Sequence, residues 1–150
     1  MNFDPITSDL FIGTTPSVED YPRLRDLGVR LVINMRFNHR PAPDPHPAPL
    51  RLLWLRTIDS PFFPIPIAKL IHGATAAIET IGDGGKVDAH CAGGRHRGVA
   101  MGAAVLIAQG HDPHAVMTLI KERRAFADPF AFYIRARILK FAEKWGKLKT

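Results

Sequence analysis

The sequence predicts an α/β fold with a central, mainly parallel sheet of about four to five strands flanked by helices. Short apolar, β-branched runs alternate with stretches of helical periodicity, which is the pattern of parallel strands joined by crossover helices. One run, residues 99–108, is apolar nearly all round, as befits a helix buried inside such a layered fold. The 150 residues suit one core, so residues 1–150 read as a single domain.

The elements follow in order. Residues 10–12 form a short strand that Gly13 ends. Ser17 is placed to cap a helix running to Leu27, with Asp20 at the capping-box position and Pro22 early in the helix. Gly28 is a natural C-terminal stop with Val29 as its apolar follower. Residues 30–35 are a strand expected to be buried on both faces. In residues 36–50, Pro41, Pro43, Pro45, Pro47 and Pro49 alternate with other residues. No sheet ladder survives that, so the segment reads as an extended, polyproline-like loop. Its His39, Asp44 and His46 match no strong metal-ligand spacing.

Residues 51–58 are the next strand, with Trp54 assigned to the core, followed by a proline-rich loop over 59–66. Ile67, Leu70, Ile71, Ala74, Ile78 and Ile81 fall at helical spacing. Gly82-Asp83-Gly84-Gly85 is a turn, and residues 86–89 are a strand. Gly110 stops the buried helix, Asp112-Pro113 starts one reaching about Arg124, and Asp128-Pro129 repeats that start signal for a last helix to about Trp145.

Composition narrows the function. The net charge of +6 sits entirely at one end: residues 1–120 hold 11 Lys+Arg and 11 Asp+Glu, whereas residues 121–150 hold 9 and 3. That basic end could favour acidic substrates, nucleic acid or a membrane surface, or be a solvated helix face. Basic and aromatic residues do not interleave as in nucleic-acid modules, so no nucleic-acid partner is expected. No apolar run has the roughly 18 residues of a membrane span, and the N-terminus lacks the order of a signal peptide. Cys91 is the single cysteine, so a reducing, cytoplasmic setting is expected and disulfide-relay chemistry is excluded.

The chemistry concentrates in His90-Cys91-Ala92-Gly93-Gly94-Arg95-His96-Arg97, between the strand over 86–89 and the buried helix. Backbone N–H groups of a strand-loop-helix turn converge on an anion, and the helix N-terminus adds positive potential. That field favours a thiolate at Cys91. Gly93 and Gly94 let the backbone turn sharply, and Arg97 offers a planar fork matched to phosphate oxygens. Asp59 lies 32 residues before Cys91, just after a strand, in Thr57-Ile58-Asp59-Ser60-Pro61. Taken singly, a lone cysteine is a small hydrophobe and an aspartate before Ser-Pro is a turn residue.

Together these residues resemble the protein tyrosine phosphatase superfamily, whose signature is His-Cys-x-x-Gly-x-x-Arg, and within it the small, atypical dual-specificity phosphatases. Residues 10–13, 28–34 and 130–141 look like that family's first strand, second strand and closing helix. The resemblance implies a catalytic domain spanning the chain and a metal-independent, cofactor-free phosphatase acting on phosphotyrosine, phosphoserine or phosphothreonine proteins, or on another phosphate monoester. It casts Cys91 as nucleophile, Arg97 as oxyanion clamp and Asp59 as general acid. The backbone of Ala92, Gly93, Gly94, Arg95 and His96 would cradle the phosphate, with His90 orienting the loop. Asp88, two residues before His90, is expected to point away. Arg95 and His96 at the variable loop positions would add positive charge, which suits a polyanion such as a phosphoinositide or a nucleotide or RNA 5′-phosphate. The Pro-rich loop would border the site or be a plain insertion, and Arg123 and Arg124 would line the rim or be solvated.

One position departs from the pattern: the family usually carries Ser or Thr after the arginine, and here it is Gly98. That leaves a weakly active phosphate-binding module as an alternative; a redox sensor lacks a resolving cysteine. Losing a hydrogen bond to a charged sulfur costs roughly 1.5–3 kcal/mol, or about 10- to 100-fold in the step that uses it. Breakdown of the cysteinyl-phosphate is therefore expected to be slow. Rapid mixing with a chromogenic ester should show a burst that vanishes in Gly98→Ser; no burst in either protein would sink the idea.

Overall fold

The computed structural model of the protein describes residues 1–149. Its five-stranded sheet has the order β1-β2-β5-β3-β4, with β1 (Phe3–Pro5), β2 (Leu10–Gly13), β3 (Val29–Arg36), β4 (Arg51–Thr57) and β5 (Lys86–His90). β1 is antiparallel to β2, and the remaining neighbours are parallel. The α/β expectation holds. The sequence reading missed β1, a three-residue edge strand ending in proline, which no periodicity can announce.

Alternation along the strands separates two cores, and a register shift between Val29 and Leu31 puts Val29 on the opposite side from Leu31. Leu10, Ile12, Leu31, Ile33, Val87 and Ala89 face α2 (Ile67–Gly82), α3 (Arg97–Ala108), α4 (Pro113–Arg123) and α5 (Phe132–Leu148). Phe11, Val29 and Val32 turn the other way and pack with Tyr21 and Leu24 of α1 (Tyr21–Asp26). Gly98 to Ala108 of α3 are all buried, as a helix apolar on every side must be. The parallel strands all end at one edge of the sheet, where open α/β sheets bind ligands.

Several boundaries differ from expectation for physical reasons. Ser17 and Asp20 do form a capping pair, the Asp20 carboxylate accepting from the Ser17 N–H at 2.8 Å. It caps a 3₁₀ turn over Val18–Asp20, and α1 begins only at Tyr21, which puts Pro22 in a first turn that tolerates it. α3 starts at Arg97, two residues earlier than its apolar pattern. Asp112 caps α4 as expected, accepting from the Ala115 N–H at 3.0 Å. Asp128-Pro129 does not start α5, which begins at Phe132 and runs to Leu148. Trp54 is half-buried on an edge strand rather than in the core; its Nε1 donates to the Arg36 carbonyl, and the Arg40 and Arg56 guanidiniums lie over its ring.

The Pro-rich segment has no regular structure, and Asp44 pins it. This carboxylate pairs with Arg25 and accepts from the Leu50 N–H at 2.8 Å and the His46 N–H at 3.2 Å. Asp44 is therefore occupied by an arginine and backbone amides, and among the described residues no group of three His, Cys, Asp or Glu is placed to hold a metal. Desolvation raises the Asp44 carboxyl, but the hydrogen bonds from Leu50, Arg25 and His46 and the Arg25 charge outweigh it and hold it below the usual range. A depressed carboxylate stabilises the fold above its unfolded pKa of about 3.9 and loses that contribution as pH falls further. Asp44→Asn should make loop 37–50 readily cleaved in limited proteolysis at pH 7, and the difference from wild type should close in acid unfolding below about pH 4.

Candidate active site

Residues 91–96 join the end of β5 to α3 and carry the signature motif. Cys91 is buried, and its sulfur accepts the Gly94 N–H at 3.2 Å. The Thr15 hydroxyl, from the segment after β2, donates to the Cys91 carbonyl at 3.3 Å. Gly94 has φ +63° and packs so closely on Gly13 that a Cβ would lie 2.7 Å from the Gly13 carbonyl, so only glycine fits there on both counts. Gly93 has open space around it and no positive φ; of the two glycines, Gly94 alone carries the conformational requirement.

Arg97, in the first turn of α3, reaches across the ends of β3 and β4. Its Nη1 donates to the Thr57 carbonyl at 2.9 Å and the Met35 carbonyl at 3.3 Å. Its Nε is buried with no partner among the described residues. One arm of the fork is thus anchored, and a donor is left unspent.

Asp59 follows β4, and Arg97 holds that strand's end. Its Oδ1 accepts from the Tyr133 hydroxyl at 2.7 Å, and its Oδ2 lies 3.1 Å from His96 Nδ1. Partial burial raises the Asp59 carboxyl, but the hydrogen bonds from Tyr133 and His96 and the charges of His96 and Arg97 outweigh it and hold it below the usual range. Burial, then the Asp59 carboxylate, push the Tyr133 phenol up to about 12, so Tyr133 remains a donor throughout the neutral range. Asp128 closes the arrangement. Its N–H donates to the Arg95 carbonyl, and its carboxylate lies 3.6 Å from Arg95 Nη2 and 3.7 Å from His96 Nε2. These ties explain why Asp128 is not a helix cap. They also engage the Arg95 guanidinium and the His96 ring, so those two side chains do not form a bare positive collar.

Behind the loop stands Arg124, 2% exposed, while Arg123 is exposed. Arg124 Nε donates to the Gly94 carbonyl at 2.8 Å and Nη2 to the Gly93 carbonyl at 3.2 Å. Its Nη1 donates to Asn2 Oδ1 and Asp4 Oδ2, both at 2.8 Å. Arg124 thus holds the Gly93 and Gly94 carbonyls from behind, while the Gly94 N–H reaches the Cys91 sulfur. Tyr133 and this role of Arg124 were missed in the sequence, because neither lies near the motif in the chain.

His90 and Asp88 share a strand face, as residues two apart must, and Asp88 makes no hydrogen bond to the loop among the described residues. Both are buried, with His90 Nδ1 3.8 Å from Asp88 Oδ2 and neither side chain hydrogen-bonded among the described residues. His90 makes no hydrogen bond to the loop. It lines a cavity of about 460 Å³ on the α1 side, walled also by Thr15, Asn34, Arg36, His39 and Pro41. The Pro-rich segment therefore borders a cavity beside the site. At Gly98, a Cβ would lie 3.2 Å from Cys91 N and from His90 Cα and C. A hydroxyl there requires the backbone to yield by a few tenths of an ångström, and Gly98→Ala is the control for that cost.

This is the fold of the small dual-specificity phosphatases, as the signature loop implied. A mouse protein described as a dual-specificity phosphatase, solved with zinc tungstate, superposes with a TM-score of 0.85 at 22% identity over 98% of this chain and 90% of its own. PTPMT1 in complex with PI(5)P gives 0.84 at 22% identity over 99% of both chains, and human DUSP28 gives 0.81 at 22% over 99% and 95%. No protein-family model and no curated protein matches the sequence.

Removing Arg124 leaves two loop carbonyls and Asp4 without their cation. Arg124→Ala should lower the unfolding free energy by about 3 kcal/mol and weaken inhibition by orthovanadate roughly tenfold or more, read by urea denaturation and by inhibition kinetics.

Proposed function

We propose that the protein is a metal-independent phosphatase that hydrolyses phosphate monoesters through a cysteinyl-phosphate. The observation that carries this reading is Arg97, whose Nη1 is anchored on two strand-end carbonyls while its buried Nε is unspent. A buried cationic donor without a partner is costly unless a ligand completes it, and an oxyanion does so with charge-assisted bonds.

In the first step the Cys91 thiolate attacks phosphorus, the ester P–O bond breaks, and Asp59 protonates the departing oxygen. Loop amides and Arg97 hold the three remaining oxygens as charge shifts among them. In the second step the Asp59 carboxylate takes a proton from water, the water oxygen attacks phosphorus, and the P–S bond breaks to restore the thiolate. Gly98 supplies no hydroxyl to that leaving sulfur, which supports slow turnover as a second reading. Phosphorylated proteins and non-protein esters both remain within the chemistry; the fold shared with PTPMT1, solved with PI(5)P, supports the latter.

The general acid must be protonated in the first step, and Tyr133 and His96 hold Asp59 low. Turnover should therefore fall as pH rises through the Asp59 value. Tyr133→Phe removes one of the depressing hydrogen bonds, so the descending limb of kcat/KM should move to higher pH. The deciding experiment is metal-free hydrolysis of an aryl phosphate across pH 5–8. Cys91→Ser should abolish turnover and Asp59→Asn should lower it by about 10²- to 10⁴-fold. Unchanged turnover in Cys91→Ser would remove the mechanism.

A further inference from the structure

Phenylalanine is among the side chains most often buried, yet six of the nine here are exposed. Phe62 is 87% exposed and Phe132 75%, and Phe37, Phe63, Phe126 and Phe130 are exposed with them. All six lie on segments that touch the catalytic rim. Phe62 and Phe63 follow Asp59 on its own loop. Phe132 adjoins Tyr133, which holds Asp59. Phe126 lies beneath the guanidiniums of Arg95 and Arg124. Phe37 extends from the end of β3 under Arg56. Buried rings in this chain, such as Phe11 and Phe141, lie inside the two cores, so the exposed set is not a failure to find room.

Taking the phosphatase reading as its basis, we propose that this rim is a docking face for an anionic lipid bilayer, and that the substrate is a phosphate monoester on a lipid headgroup. Two observations favour a bilayer over a peptide. The rings stand on separate segments around the loop, so a broad surface can meet them together, whereas one bound strand would reach only part of the set. The charge around them is complementary: Arg56 is exposed over Phe37, Arg40 is exposed over the neighbouring Trp54, and neither has an acidic partner among the described residues, while the rim acids Asp59 and Asp128 are engaged with His96, Tyr133 and Arg95. Apolar side chains with cations between them bind an anionic interface by burial and attraction together. No helix among the described residues is long and apolar enough to cross a membrane, so contact would be peripheral.

The test separates docking from catalysis. Cosedimentation of Cys91→Ser with vesicles of phosphatidylcholine and phosphatidylglycerol reads the surface alone. Binding should fall at least roughly tenfold when Phe62→Ser and Phe130→Ser are added, with circular dichroism confirming the fold. In the protein with Cys91 intact, hydrolysis of a phosphatidylinositol monophosphate in the same vesicles should exceed that of its soluble headgroup. The two phenylalanine changes should reduce that ratio. No cosedimentation, binding indifferent to the phenylalanines, or faster hydrolysis of a phosphotyrosyl peptide than of the vesicle lipid would each overturn the proposal. Vesicle binding without turnover of any ester, the aryl phosphate included, would instead uphold the docking face and remove the catalytic reading.

Discussion

A short loop can turn its N–H groups inward only if its carbonyls find partners on the outside. In this protein one buried cation meets that condition. Arg124 takes the carbonyls of Gly93 and Gly94, and Asp4 balances its charge. The Gly94 N–H then reaches the Cys91 sulfur, and Gly94 sits against Gly13 too closely for any side chain. The cradle is thereby held between the end of β2, the start of α3 and the strand that opens the chain. None of these contacts involves the reacting atoms, yet without them the loop amides have no reason to converge.

The acid side of the site is held by a different means. Asp59 stands on a proline-rich loop with little packing of its own, and hydrogen bonds to Tyr133 and His96 fix it. Those bonds impose a trade-off. They place the carboxyl at the rim, and they also favour its charged form; under the proposed mechanism that is the wrong form for protonating a leaving group and the right one for activating water.

What was legible in the sequence is what depends on local order. The parallel strands announced themselves through β-branched runs, α3 through its unbroken apolar stretch, and α4 through Asp112-Pro113. The signature loop and Asp59 could be read together because the resemblance links them, and the structure brings the Asp59 carboxylate to His96 of that loop. What escaped depends on contacts distant in the chain. Asp128-Pro129 has the form of a helix start, but the Asp128 carboxylate is drawn to Arg95 and His96 and the helix waits until Phe132. Arg123 and Arg124 are identical neighbours in sequence; one is exposed and the other is buried behind the cradle. β1 is three residues on an edge, and its value to the fold lies in what it offers Arg124.

The bond between Asp4 and Arg124 spans 120 residues. It is among the most non-local contacts the chain can make, and non-local contacts close late because they must overcome the entropy of the loop between them. A chain emerging from the ribosome presents Cys91 well before Arg124 is available to shape the loop around it. The surroundings of Cys91 are therefore completed by contacts across nearly the whole chain and are not a property of the motif itself.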